Sequence, residues 1–230
     1  MQLQNAVAAG VGPQSASPGA LINSRAGQLG DMIVSELQGR LYEQTYRGNK
    51  FVSGLAALTA ITNATFTVAT LGATCTPILG VWNPGTSTVN LVIAQATLAA
   101  AITALTATGG GPYVWCGSTG NNALTLGSAP FSRKTLAAAG SQAKNMSGVA
   151  LTGLTNNLVA MFGSALGGGS SSNASFVGTA AGMQTTLQGF VENFDGSLIV
   201  PPGGVLALLA TTTPVAHSAV GSIVHDEVPT

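Results

Sequence analysis

The stretch DGSLIVPPGGVLALLATTTPVAHSAVGSIVHDEVP, residues 195–229, decides the fold. Short runs of apolar and β-branched residues alternate in it with turn residues, a pattern that is typical of β-strands joined by tight connections. The run Pro201-Pro202-Gly203-Gly204 cannot lie inside a strand and predicts a sharp corner, because proline has no backbone N–H to donate. Asp195-Gly196 is typical of a hairpin turn. Strands are therefore predicted at residues 176–177, 185–190, 197–200, 205–209 and 222–228.

The same pattern extends upstream. Residues 64–68 and 89–93 alternate between apolar and polar side chains, and Asn83-Pro84-Gly85 between them predicts a turn. Further short strands are predicted at residues 113–116 and in two pieces within 149–162. Residues 94–105 are rich in alanine, and a short helix competes there with a strand. Many short strands of this kind predict an all-β fold, an antiparallel β-sandwich of jelly-roll-like type with at most short helices.

Composition limits the class of protein further. The chain has 230 residues, 46% of them hydrophobic and 31 of them glycine, and its mean hydropathy of +0.42 argues for a folded chain rather than a disordered one. The formal net charge is zero, which argues against direct binding to nucleic acid. The sequence contains no apolar run long enough to predict a membrane-spanning segment. Its N-terminus lacks the positive charge with which a secretion signal begins. We therefore expect a soluble protein made in the cytoplasm.

Charge is distributed very unevenly along the chain. Charged residues make up 6% of the sequence, whereas a water-soluble surface normally carries about a quarter. Seven of the fourteen charged residues fall within residues 25–50, and the 82 residues between Lys50 and Arg133 carry none. We interpret residues 25–50 as a contact segment. The remainder is interpreted as a neutral sandwich that copies of itself or a larger assembly cover in large part.

The N-terminal region is predicted to be an arm. Glycine and proline residues interrupt residues 1–24, which predicts an extended segment. After Gly39, an alternating pattern places Tyr42 and Tyr46 on one face and predicts a strand before the turn at Gly48-Asn49. We divide the chain into an arm and docking segment, residues 1–50, and a sandwich body, residues 51–230. The predicted partner-binding residues are Arg25, Arg40, Tyr42, Glu43, Tyr46 and Arg47. The alternative is a solvated edge strand whose charges prevent aggregation.

Chemistry-bearing motifs give little support for catalysis. The sequence has no G-x-S-x-G elbow, no phosphate-binding loop, no H-E-x-x-H and no C-x-x-C, so we expect no enzyme activity and no cofactor. His225-Asp226-Glu227 places three possible metal ligands in a row. Adjacent strand residues point to opposite faces, which favours a solvated strand end over a metal site. Glu192 and Asp195 are weak evidence for a glycosidase pair. Cys75 and Cys116 are predicted to be buried thiols, with a disulfide as the alternative.

Two segments carry a resemblance to a known family. The C-terminal stretch contains I-V-P-P-G at residues 199–203, then an apolar strand, then S-I-V-H-D-E-V-P at residues 222–229. It resembles the closing strands of jelly-roll virion proteins of tailed bacteriophages, and GRLYEQTYRGNKF, residues 39–51, is similar to structural proteins of the same kind. Together the two segments comprise 48 of the 230 residues.

The resemblance implies a capsid decoration, or cement, protein. Such a protein would bind the shell surface as an oligomer, with itself (a homotrimer) and the major capsid protein as partners, and would be located on the virion. A head fibre, tail adaptor or host-binding protein of the virion is the alternative. A carbohydrate-active β-sandwich enzyme is the third hypothesis, since fold class does not decide between them.

Overall fold

A computed structural model of the chain describes residues 42–55, 59–60, 66–67, 70–71, 74–102, 113–124, 127–164, 187–210 and 217–230. The chain divides into two compact units, Met1–Glu43 and Gln44–Thr230. Almost all of the first unit lies outside the described residues. The predicted arm, Arg25, Arg40 and the strand predicted at residues 176–177 therefore lie outside the described residues as well.

The described residues form one short α-helix, α1 (Tyr42–Arg47), and fifteen β-strands. The three longest strands are β7 (Val89–Ile102), β13 (Leu187–Val200) and β15 (His217–Pro229). Strands of four to six residues are β1 (Lys50–Gly54), β6 (Leu79–Trp82), β8 (Tyr113–Ser118), β12 (Val159–Ser164) and β14 (Val205–Ala210). Strands of two residues are β2 (Thr59–Ala60), β3 (Phe66–Thr67), β4 (Thr70–Leu71), β5 (Thr74–Cys75), β9 (Phe131–Ser132), β10 (Lys144–Asn145) and β11 (Leu151–Thr152).

Two antiparallel sheets make up the body. In sheet one the strand order is β13-β7-β15-β1-β9, and β2 also pairs with β15. In sheet two the order is β10-β6-β14-β8-β12. Two further pairs are separate from these sheets, β5 with β11 and β3 with β4. Every strand pair is antiparallel, as predicted.

Eight of these strands pair like a long hairpin that has been rolled up. In chain order they are β1, β6, β7, β8, β12, β13, β14 and β15. The first pairs with the last, the second with the seventh, the third with the sixth and the fourth with the fifth. These four pairs are divided between the two sheets, which is the arrangement of a jelly roll. The predicted fold class, an all-β antiparallel sandwich of jelly-roll type with at most short helices, is confirmed for the described residues.

The strand predicted from alternation after Gly39 is wrong, because residues 42–47 form helix α1. The spacing of Tyr42 and Tyr46 fits a helix as well as a strand, since residues four apart also share a helix face. The helix ends at Gly48, whose φ of 85° lies in the left-handed region. The Gly48 N–H donates to Thr45 O at 3.0 Å and the Asn49 N–H to Gln44 O at 3.1 Å, which is the hydrogen-bond pattern of a glycine C-cap. The predicted turn at Gly48-Asn49 is this cap.

The predicted hairpin at Asp195-Gly196 is also wrong. Residues 187–200 form the single strand β13, which pairs with β7 on both sides of these two residues. Asn193 lies opposite Gln95 and Leu198 opposite Ile93, so β13 has three more residues than β7 between these two pairs. Asp195 and Gly196 have φ values of 47° and 83°. Residues that favour the left-handed region occur both in β-bulges and in hairpin turns, so this dipeptide fits either structure.

Other local predictions are confirmed. The proline-glycine corner ends with a hydrogen bond from the Gly204 N–H to Pro201 O at 2.8 Å, after which β14 begins. The turn at Asn83 closes with the Ser87 N–H donating to Pro84 O at 2.9 Å. The ambiguity at residues 94–105 is settled up to Ile102, which lies in strand β7.

The main core fills the space between the two sheets. It consists of inward-facing side chains from both, which include Leu79, Leu91, Ile93, Leu208 and Ile223, all fully buried. Because successive strand residues point to opposite faces, the other face of each strand must be considered separately. The two sheets differ greatly in what covers that face.

Sheet two is covered on its second face as well. Side chains that point away from sheet one, among them Trp82, Cys116 and Leu209, pack against buried residues of the segments that cross this face. The buried residues of those segments are Cys75, Leu124, Met146, Leu151 and Leu158. All six residues of β14 and all four of β6 are buried as a result. A strand buried on both faces is expected to be apolar throughout, which explains the run VLALLA in β14.

Candidate interaction surface

The predicted contact segment leads into one edge of the sandwich. Four of its six predicted binding residues, Tyr42, Glu43, Tyr46 and Arg47, belong to helix α1, and the described side chains among them are those of Tyr46 and Arg47. Both of these side chains are exposed. The ammonium group of Lys134 lies 5.1 Å from the centroid of the Tyr46 ring, a cation–π contact. The structure thus brings Tyr46 to Lys134, which forms with Arg133 a second charged site of the chain after residues 25–50.

A tight loop after β9 presents this second site. The Arg133 N–H donates to Lys50 O at 3.0 Å, and the Leu136 N–H donates to Ser132 O at 2.9 Å. The Ser132 hydroxyl accepts hydrogen bonds from the N–H groups of Lys134 and Thr135, at 3.3 and 3.4 Å. These bonds hold Phe131, Arg133, Lys134 and Leu136 at the surface, where all four are exposed.

The two sheets close against each other on this side. Strand β9 is the last strand of sheet one and β10 the last strand of sheet two. The Asn145 side-chain amide of β10 donates to Gly54 O of β1 at 2.7 Å, which ties the two sheets together. We call this side the basic edge and define it by Tyr46, Arg47, Phe131, Arg133, Lys134, Leu136 and Lys144.

Lys50 is buried behind the basic edge. It lies opposite Asp226 in the pairing of β1 with β15, and its ammonium nitrogen is 2.7 and 2.9 Å from the two carboxylate oxygens of Asp226. The Lys50 side chain is 0% exposed and that of Asp226 17%. Breaking such a pair leaves one charge without its partner in a poorly solvated site, so the pair stabilises the observed register of β1 on β15.

His225 lies next to this pair on the opposite face of β15. Its ring stacks on Phe51 with the centroids 5.9 Å apart, and neither ring nitrogen has a hydrogen-bond partner. Burial, together with the smaller effect of the positive charge of Lys50, lowers the pKa of His225 to about 3. The imidazole is therefore neutral at physiological pH.

Glu227 holds a neighbouring loop in place. One oxygen of its buried carboxylate accepts hydrogen bonds from the Ser141 hydroxyl at 2.5 Å and from the N–H groups of Gln142 and Ala143 at 2.9 and 3.3 Å. His225, Asp226 and Glu227 thus serve three separate sets of contacts. The predicted solvated strand end is wrong for His225 and Glu227, which are buried. No group of three potential metal ligands occurs among the described residues.

The other edge of the sandwich is formed by β12 and β13, the last strands of sheet two and sheet one on that side. A cluster of three aromatic rings closes it. The Phe194 ring centroid lies 5.6 Å from that of Trp115 and 5.8 Å from that of Phe162. The Glu192 carboxylate accepts a hydrogen bond from the indole N–H of Trp115. We call this side the acidic edge and define it by Val159, Met161, Phe162, Val191, Glu192, Asp195 and Ile199.

Sequence reasoning found part of this arrangement. It placed Tyr46 and Arg47 among the binding residues, and both side chains are exposed. It did not join Tyr46 to Lys134, because the contact spans 88 positions of the chain. The aromatic cluster was missed, since Phe162 and Phe194 stand in no recognisable pattern. The only feature of the sequence that could have pointed to this cluster is that a few charged residues occur in strands that otherwise carry no charge.

The two cysteines are buried and neither forms a disulfide, as the sequence predicted. Burial raises the pKa of the Cys75 thiol to about 11 and that of the Cys116 thiol to about 12. Both thiols lie in the second core, between sheet two and the segments that cover it. They are therefore protonated and unreactive at neutral pH.

Among the described residues, no helix is long and apolar enough to cross a membrane. Comparisons with protein-family models, with curated proteins and with solved structures found no match to the chain.

Proposed function

We propose that the chain is a structural virion protein that decorates and stabilises a bacteriophage capsid by binding the shell surface as an oligomer. The observation that carries this proposal is the distribution of charge and apolar area over the described surface. The charges within the sheets are used in internal contacts, such as the Lys50–Asp226 pair and the Glu227 carboxylate. Large apolar side chains such as Leu136, Val159 and Val191 are exposed instead.

Such a surface is suited to contact with protein. Exposed apolar side chains that are grouped on one side of a molecule mark interaction sites more often than scattered ones do. Neutral polar residues between them cost less to dehydrate than charged residues would. A decoration protein needs matching faces and edges, and it needs no catalytic centre. The resemblance of the closing strands to those of phage virion proteins supports the same proposal.

The basic edge lies where residues 1–41 join the described chain, because helix α1 is part of it. A segment that leaves the sandwich beside exposed Tyr46 and Arg47 can add a second attachment point to the same shell. Two attachment points raise the overall affinity through effective concentration, without strong individual contacts. In this proposal residues 1–41 and the exposed side chains of helix α1 bind the major capsid protein, and the sandwich body presents the neutral surface.

The test is a cryo-electron-microscopy map of particles that carry this chain. The expected result is oligomers seated at capsomer junctions with residues 1–41 in contact with the shell. Particles carrying a chain without residues 1–24 provide the matched control and should show lower occupancy. Density at the tail or on projecting fibres would favour the alternative of another virion component. Absence from purified particles would overturn the proposal and reopen the enzyme hypothesis.

A further inference from the structure

The imidazole of His225 is enclosed in the sandwich without a polar partner. The residue is 0% exposed, and among the described residues no group forms a hydrogen bond with either ring nitrogen. Its neighbours in the sheet are apolar, since Phe51 of β1 stacks on the ring and Ile93 lies opposite it on β7. A buried polar group without a hydrogen bond lowers the stability of the fold and is rare in native proteins. His225 is therefore a candidate for a role other than packing.

The charges on the strands that form this site have partners elsewhere. Lys50 of β1 and Asp226 of β15 lie on the opposite face of the sheet from His225, where they form an ion pair. Glu227 shares the face of His225 on β15, and one of its oxygens accepts three hydrogen bonds from residues 141–143. Strand β7, which pairs with the other side of β15, carries no charged residue.

The other elements around the site add positive charge only. Lys144 of β10 lies opposite Trp82, which faces the second core, so this lysine is on the side of sheet two that points away from His225. Strand β6 carries no charged residue, and Arg133 and Lys134 after β9 are exposed. Nearby cations and apolar groups both disfavour a protonated imidazole. The closed site therefore accepts the neutral ring and opposes its protonation.

Strand β1, which covers His225, is held by fewer residue pairs than β7. It pairs with β15 over five residues and with β9 over two, whereas β7 pairs with β15 over 13 residues and with β13 over ten. Strand β1 also follows helix α1 directly in the chain, so both can leave β15 together. Segments with few contacts open locally at a lower free energy than the whole domain.

We propose that β1 is an acid-sensitive latch: protonation of His225 separates β1 and helix α1 from β15 while the rest of the sandwich stays folded. The closed state excludes the proton, and the open state binds it on a solvated imidazole, so acid favours opening. Opening also breaks the Lys50–Asp226 pair and exposes Phe51. Residues 1–41 are then joined to the body through a freed strand. The latch does not depend on binding to a shell.

The size of the effect follows from two pKa values. The pKa of His225 is about 3 in the closed state, and in the open state it returns to about 6.5. The opening equilibrium should therefore rise by about 30-fold between pH 7.5 and pH 5.0, and most of the rise should occur below pH 6.5. Carboxylates contribute little in this range, because their ordinary pKa values are about 4.

Hydrogen–deuterium exchange followed by mass spectrometry measures this opening in the full chain. Peptides from β1 report the latch, and peptides from β7 report the rest of the sandwich. Exchange is followed from pH 7.5 to pH 5.0 and is corrected for the intrinsic rate at each pH. His225→Phe is the matched variant, because it keeps a ring against Phe51 but cannot be protonated. His225→Leu is a second variant with the same property, and circular dichroism checks that each variant is folded.

We expect the opening equilibrium of β1 to rise by about 30-fold in the unaltered chain and by less than ~3-fold in the two variants. Strand β7 should remain at least ~10-fold more protected than β1 at pH 5.0, because its longer pairing opens only with the whole domain. The same measurement applies whether or not the chain binds shells, so its result is independent of the proposed function.

Three results would overturn the inference. The first is exchange of β1 that does not change between pH 7.5 and pH 5.0. The second is a folded variant whose β1 opens with acid as much as that of the unaltered chain, which would assign the response to other groups. The third is equal exchange of β1 and β7 at pH 5.0, which would mean that acid opens the whole sandwich. If neither variant folds, the pH course decides: a rise that starts near pH 6.5 supports the latch, and one that starts only below about pH 5 overturns it.

Discussion

Sheet one and sheet two have equal roles in the jelly roll but very different surroundings. The central strands of sheet two, β6, β14 and β8, are covered on both faces, first by sheet one and then by the segments around residues 75, 124, 146, 151 and 158. One face of sheet one packs against the main core, and on its other face Val220 and Val228 are exposed to solvent. The contrast shows that burial within the chain accounts for the low charge of sheet two but not for that of sheet one.

In sheet two the cause is internal. Its strands β6, β8 and β14 contain no charged residue, and all three are mostly buried within the same chain. No partner protein that covers these strands is needed to explain why they lack charge. The outward face of sheet one is also poor in charge but is exposed, so burial within the chain does not explain it. The sequence-based interpretation that other copies cover much of the body is therefore unnecessary for sheet two, and it remains a prediction for sheet one.

The strongest test of this contrast compares one outward-facing residue from each sheet. Leu209→Ala in sheet two should lower the free energy of unfolding by about 2–5 kcal/mol, because the fully buried side chain leaves a cavity. Ile199→Ala in sheet one removes a side chain that is 54% exposed and should cost less than about 1 kcal/mol. Guanidinium unfolding of the isolated chain measures both. Equal losses would mean that the two outward faces are covered alike.

A second test concerns the buried ion pair that joins β1 to β15 in sheet one. Lys50→Met should cost about 3–5 kcal/mol, because it leaves the Asp226 carboxylate without its partner in a site that is 17% exposed. The double variant Lys50→Met with Asp226→Leu is the control and should recover most of that loss. Denaturant unfolding at two salt concentrations checks the result. A loss that disappears at high salt would contradict a buried pair, since screening acts mainly on exposed charges.

The sequence predicted the fold well because its strongest signals are local. Turn residues at Asn83 and Pro201 separate apolar runs, and both turns form as predicted. The two wrong local predictions concern patterns that two structures share. Spacing at Tyr42 and Tyr46 fits both a helix and a strand, and Asp195-Gly196 serves either a hairpin or a bulge. In each case tertiary pairing decided between the two.

The interaction surface was less predictable because it depends on contacts between distant parts of the chain. Tyr46 meets Lys134, and Lys50 meets Asp226, 176 positions away. Alternation along a strand gives the face of a side chain but not the strand opposite it. His225 and Glu227 were therefore expected at a solvated strand end, although β1 and the loop at residues 141–143 bury them.

A third test uses pH to examine the same end of sheet one. The pKa of His225 is lowered to about 3 in the folded chain, against about 6.5 in an unfolded chain, so the unfolded state binds a proton first as pH falls. The stability due to neutral His225 is complete above pH 6.5 and is lost progressively down to pH 3. Between pH 6.5 and pH 5 we expect a loss of about 2 kcal/mol.

The control for this pH test is His225→Phe, which keeps a ring on Phe51 but cannot be protonated. Unfolding curves at several pH values should show a shallower dependence for this variant over the same range. Carboxylates contribute to acid unfolding in both chains, so the difference between the two curves isolates His225. Identical curves would mean that the imidazole is solvated or has a partner in the folded chain.

A fourth test measures thiol reactivity, and it distinguishes the covered face of sheet two from the open face of sheet one. Cys75 and Cys116 should react with a maleimide at pH 7.5 only when the chain opens, because both are buried and their thiols stay protonated. A cysteine placed on sheet one by Val220→Cys, in a chain whose native cysteines are replaced by alanine, should react at least ~100-fold faster. Mass spectrometry follows both reactions. Fast labelling of Cys116 in the folded chain would mean that the segments over sheet two open readily, and the two sheets would then differ less than their burial indicates.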